Sequence, residues 1–176
     1  MRRFGTPALS NLKQRLSQYG SDDATRFCTI LLEANCEFLA FAVSSQGLIA
    51  AAIPTIDSVQ AALGLMLLYS LNLYARDQLA GDASELLTLL AAVLDVSATD
   101  VMVRRDQLRK SPRGEEWMLY CWLRQAFGLE SPRYDAAVDS AFGYQYLSYV
   151  SQYRDLLKDA LAALLMREPL IQTGET

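Results

Sequence analysis

From Phe38 to Ala75 the chain carries a single charge, Asp57. Outside this run, apolar residues recur every three or four positions. Leu9, Leu12 and Leu16 share one face, and Phe27, Leu31 and Ala34 form another that leads into the run at Phe38 and Phe41. That spacing is helical. The punctuation between such stretches sets the predicted boundaries. A first helix covers Pro7 to Tyr19 and Gly20 closes it. Ser21 caps a second, with Asp22 and Asp23 suited to the dipole of its first turn, reaching about Ser45. Thr55 caps a third, Ile56 to about Ala80, ended by Gly81. Asp82 to Glu85 reads as a capping box for a helix through Leu94. Ser97 to Asp100 does the same for Val101 to about Lys110. Two Ser-Pro pairs then place serine at an N-cap and proline at the first helical position. Ser111-Pro112 opens Glu115–Phe127, closed by Gly128. Ser131-Pro132 opens a long last helix, Pro132 to about Arg167, which Pro169 stops.

The fold class expected is all-α, a compact bundle of about seven helices around a central apolar helix, with a long C-terminal helix. The central helix is Ile56 onward, because Val59, Leu63, Met66, Leu67 and Leu71 leave it apolar nearly all round. One stretch has a second reading. Residues 37–54 could form a small β-hairpin around Ser44, Ser45, Gln46 and Gly47. Alanine is a good helix former and a poor strand former, so the helical or irregular reading is preferred. The two halves of the uncharged run are long enough for membrane spans. Against a span, polar residues sit mid-segment, and no aromatic belts or basic cluster flank it. A soluble core with no membrane span is expected. Residues 1–170 read as one helical domain and 171–176 as a flexible tail.

Composition narrows the chemistry. The formal net charge is −4 over 176 residues, which argues against general binding to nucleic acid or anionic membranes. No apolar stretch follows Arg2 and Arg3, so a secretory leader is not expected. Three cysteines, Cys28, Cys36 and Cys121, lack paired spacing and suggest a reducing, cytoplasmic setting. Histidine is absent, which removes the commonest general acid/base and a frequent metal ligand. Glu33 and Glu37, one turn apart, read as a solvated face, and no glycine-rich phosphate loop occurs. No catalytic residue, cofactor or metal site is expected, and the chain is read as non-enzymatic.

Residues 90–110 carry the one motif with a family likeness. Ala91, the turn Leu94-Asp95-Val96-Ser97, Val101 and the string Val103-Arg104-Arg105-Asp106 resemble the bacterial helix-turn-helix of DeoR- and GntR-type regulators. The resemblance covers about nineteen residues. It implies a second helix lying in a DNA major groove, with Arg104, Arg105, Arg109 and Lys110 on phosphates or bases. The sequence departs from the pattern in three places. Asp95 stands where glycine is usual, Arg104 where an apolar residue is usual, and the Val-Arg-Arg-Asp string is displaced by two positions. Two amphipathic helices joined by a capped turn account for the same residues.

The last helix supplies the preferred functional reading. Phe142, Tyr146, Tyr149 and Tyr153 fall at steps of four, three and four. Tyrosine buries a ring while its hydroxyl seeks a partner or water, which suits interfaces. About thirty-five helical residues at ~1.5 Å each exceed what a compact domain needs. The chain is therefore read as a protein–protein interaction module: an adaptor, a chaperone-like factor or a subunit of a larger assembly. It would bind a protein partner or itself through Phe142, Tyr146, Tyr149 and Tyr153. The helix-turn-helix regulator is the alternative.

Overall fold

The computed structural model describes residues 4–51, 53–76 and 85–167. Among them every regular element is helical. The helices are α1 (Thr6–Tyr19), α2 (Asp22–Ala42), α3 (Ile56–Tyr74), α4 (Glu85–Leu94), α5 (Ala98–Arg109), α6 (Glu115–Ala126), α7 (Ala136–Val150) and α8 (Arg154–Arg167). A single 3-10 turn, Ser151–Tyr153, joins α7 to α8, so the last two form one long C-terminal helical run.

The caps form much as the residue types require. Ser21 accepts from the Ala24 amide at 3.3 Å, and Ser97 from the Asp100 amide at 3.2 Å. Thr55 and Ser58 cap reciprocally, at 3.0 and 2.8 Å. Each bond satisfies a first-turn N–H that has no partner within the helix. The expected Gly81 stop and the Asp82–Glu85 box lie largely outside the described residues.

The two central helices are α2 and α3. Around α3 lie α1, α2, α4, α5 and α6, and around α2 lie α1, α3, α7 and α8. By length and composition α3 could cross a membrane, as could α4 and α5 taken together despite their 95° bend. In the bundle 67% of the apolar window of α3 is buried. The core is one contiguous cluster drawn from every helix.

Residues 43–51 explain how the uncharged run packs. The helix α2 ends at Ala42, three residues short of the expected Ser45, and among the described residues between it and α3 no strand forms. The chain turns sharply, and the Ile49 amide donates to the Ala42 carbonyl at 2.8 Å. Ile49 enters the core and the Tyr120 hydroxyl reaches the Leu48 carbonyl at 3.3 Å. Glycine is required at position 47, where a Cβ would stand 2.2 Å from the Ala42 carbonyl oxygen.

Both Ser-Pro expectations need correction. The N-cap of α6 is Gly114 at φ 99°, and Ser111 instead closes a turn by accepting from the Gly114 amide at 3.2 Å. Only glycine adopts that φ freely. The last run begins at Ala136, where the Asp135 carboxylate accepts from the Ala137 and Val138 amides. Upstream, the Tyr134 ring packs on Trp117 at 4.9 Å, with the Arg113 guanidinium 4.5 Å from its centroid. Those tertiary contacts hold Tyr134 outside the helix.

The turns that end α4 and α6 share one hydrogen-bond pattern. Val96 donates to Ala91 and Asp95 to Ala92; Leu129 donates to Arg124 and Gly128 to Gln125. Both are Schellman motifs, whose penultimate donor takes a left-handed conformation. At α6 that residue is Gly128, φ 74°; at α4 it is Asp95, φ 55°. The left-handed region disfavours a side chain by about 1–2 kcal/mol.

Candidate interaction surface

The inner face of the C-terminal run is built around Phe38 of α2. Its ring meets Phe142 and Tyr146 edge-on at 5.4 Å each and Tyr149 at 5.9 Å. Edge-to-face pairs at such distances add to the effect of burial. Tyr69 of α3 packs against Tyr146 at 5.2 Å, and Tyr120 of α6 against Phe142 at 5.3 Å. Phe142 and Tyr146 are each 1% exposed. They belong to the core of this chain and offer nothing to a partner. Tyr149 is half-buried, edge-on to Phe38 and tilted against Phe41. Tyr153 is also half-buried, and its hydroxyl donates to Glu37 at 2.6 Å.

The hydroxyls of Tyr69, Tyr120, Tyr146 and Tyr153 are engaged. Ser70 of α3 donates its one proton to the Met66 carbonyl at 2.8 Å. The 2.6 Å contact between Ser70 and Tyr146 is therefore a bond donated by the phenol. Asn35 donates to the same serine oxygen at 2.9 Å, so α2, α3 and α7 meet at one buried hydroxyl. Burial raises the Tyr146 pKa well above the ordinary phenol range. Burial, then the Glu116 carboxylate, does the same to Tyr69. Desolvation, followed by the bond to Glu37, pushes Tyr153 up to about 12.

The outer side of the run differs. Tyr144 is 77% exposed and Leu147 53% exposed, three residues apart on α7. Leu156 and Met166 also face outward on α8. The four-three-four spacing that marks Phe142 and Tyr146 passes over Tyr144 and Leu147. The same FGYQYL string holds both faces, and the density of apolar residues off the stripe was the available signal.

The α4–α5 pair carries the basic residues. Its 95° bend is within the range of helix-turn-helix units. Its arginines, however, turn inward. Arg105 is 7% exposed. Arg109 donates to the Asn72 side chain at 2.9 Å, and Asn72 donates in turn to Glu115 at 3.1 Å. Desolvation, with Arg105 and Arg76 close by, lowers the Arg109 pKa. Arg104 is half-buried in a cleft, and Lys110 is exposed just past the end of α5. The open face of α5 presents Thr99, Asp100, Val103, Asp106, Gln107 and Lys110. Two carboxylates and one ammonium would meet a phosphate backbone there, an unfavourable charge balance.

The remaining candidate groups are engaged or protonated. Glu33 pairs with Lys13 at 2.6 Å, and Glu37 accepts from Tyr153. All three cysteines are free thiols. Burial pushes Cys28 up to about 12, and raises Cys36 and Cys121 as well. Such thiols are weak nucleophiles near neutral pH. Among the described residues no cluster of three or more carboxylates and thiols could hold a metal ion. In comparisons with protein-family models, curated proteins and solved structures, nothing matches this chain.

Proposed function

We propose that this chain is a non-enzymatic helical interaction module, an adaptor, chaperone-like factor or assembly subunit, that binds a protein partner through the outer face of its C-terminal run. The observation that carries the proposal is the pair Tyr144 and Leu147. Both are large, well exposed, and on the opposite side of α7 from residues already held in the core. A tyrosine there can bury its ring against a partner while its hydroxyl stays hydrated, the pattern enriched at interface centres. The helix beneath is fixed by the Phe38 cluster and by the Tyr146–Ser70 bond, so little ordering accompanies docking. Free thiols at Cys28, Cys36 and Cys121 support a reducing compartment, with the cytoplasm as the setting.

The test is affinity capture from host extract with three baits: wild type, Tyr144→Ser with Leu147→Ser, and Val103→Ser as a surface control. The proposal expects a protein retained by wild type and control and lost with the double variant. It also expects that protein, once purified, to re-form the complex with wild type alone. Identical captures by all three baits would contradict it.

Duplex DNA binding by α4 and α5 is a second reading, favoured by their 95° bend. Lys110→Ala tests it without touching the buried Arg105. Under this reading the wild type binds duplex at low salt, and the variant binds less well with a shallower salt slope. No duplex binding by the wild type at low salt removes it.

A further inference from the structure

We infer that the cleft where α1, α3, α4 and α5 meet is a binding site for a small zwitterion, a free α-amino acid with an apolar side chain. Five polar side chains from separate parts of the fold line it: Arg15 on α1, Asp57 and Gln60 on α3, Asp95 in the α4–α5 turn and Arg104 on α5. Arg15 is fixed as one edge. Its Nη1 donates to the Val93 carbonyl at 2.9 Å. The Gln60 amide oxygen, turned toward it, accepts from Nη2 at 2.9 Å.

The other charges are unengaged. The side chains of Arg104, Asp57 and Asp95 form no hydrogen bond or ion pair with the described residues, although charges of both signs share the one cleft. Asp57 and Asp95 are exposed at the cleft and Arg104 is half-buried in it. An ammonium and a carboxylate on adjacent ligand atoms would meet Asp95 on one side and Arg104 on the other, each as a charge-assisted hydrogen bond. Leu65, Val93 and Leu94 form an apolar floor, which suits an aliphatic or aromatic side chain.

Size selects within that chemistry. The cleft holds about 260 Å³, just under the ~300–1,000 Å³ of ordinary ligand sites. That volume suits one amino acid. Asp95 adds an independent observation. It occupies a left-handed position that glycine fills in the matching turn at Gly128. Backbone strain of this kind concentrates where function needs a particular side chain.

The test is isothermal titration calorimetry on the full chain with L-leucine, L-methionine and L-phenylalanine. N-acetyl-L-leucine and L-leucinamide, each lacking one charge, serve as controls, beside the variants Arg104→Gln and Asp95→Gly. At least one amino acid should bind saturably, with Kd between about 10 µM and 1 mM. Blocking either charged end, or making either substitution, should weaken binding at least ~tenfold. The Asp95→Gly protein should melt no lower than wild type, since glycine suits that turn, so its weakened binding would not be a folding defect. No saturation by any of the three up to ~10 mM overturns the inference. So does binding that survives either substitution or either blocked end.

Discussion

Two stretches of this chain are rich in large apolar residues, and the fold treats them differently. α3 is apolar nearly all round and is enclosed by five helices. The run from α7 through α8 is apolar on both sides but covered on one. Phe142 and Tyr146 face the core, while Tyr144 and Leu147 face outward. An apolar side chain in the first stretch contributes to stability. The same kind of residue on the outer side of the second contributes little to it, and is therefore a candidate for function. The Ser70 hydroxyl joins the two stretches, accepting from Tyr146 across the boundary.

Substitutions can break this contrast in order of effect. Phe38→Ala removes the ring on which Phe142, Tyr146 and Tyr149 converge, and should lower unfolding free energy by about 3–5 kcal/mol in a denaturant titration. A loss under ~1 kcal/mol would mean that the run does not depend on this cluster. Ser70→Ala leaves the buried Tyr146 hydroxyl and the Asn35 amide without their acceptor, and should cost about 1–3 kcal/mol. Adding Tyr146→Phe should recover part of that loss, because an unsatisfied group is removed; a double variant no better than Ser70→Ala would show that the phenol does not depend on Ser70. The outer pair should behave oppositely. Tyr144→Ser with Leu147→Ser should change stability by no more than ~0.5 kcal/mol per site while abolishing partner capture.

The smallest effect concerns pH. The Tyr153 pKa is raised in the folded chain, from the ordinary phenol value to about 12. The proton is thus held more tightly folded than unfolded. The associated stability is complete below pH ~10 and is lost as pH rises through about 12. Tyr153→Phe should flatten the fall in melting temperature across that window relative to wild type. Equal slopes would show that the bond to Glu37 contributes nothing there.

How much of this was readable from residues alone varied with the kind of interaction. Helix existence and most caps follow from local chemistry: Ser21, Thr55 and Ser97 each bond the amide that a short oxygen side chain can reach. The Ser-Pro boundaries failed because distant contacts decided them. Trp117 and Arg113 hold Tyr134 out of the helix, and Gly114 takes a φ that no local pattern announced. The long final helix was readable, but its 3-10 turn was not. There Ser151 and Gln152 both donate to the Ser148 carbonyl at 3.3 Å, competing with the helical pattern. At the candidate surface, spacing identified a tyrosine stripe correctly as a face. It could not say whether that face looked inward, because a second apolar face lay beside it. Asp95 shows the reverse case. Its misfit to a glycine position was visible in the sequence, and the turn proves to be left-handed there.

If the outer face of α7 holds a partner while the inner face holds the fold, calorimetry on the purified complex separates the two roles. Tyr144→Ser with Leu147→Ser, at a melting temperature matching wild type, should lose at least ~tenfold in affinity with no change in unfolding free energy beyond ~1 kcal/mol. An unchanged affinity with an intact fold would contradict that division of roles.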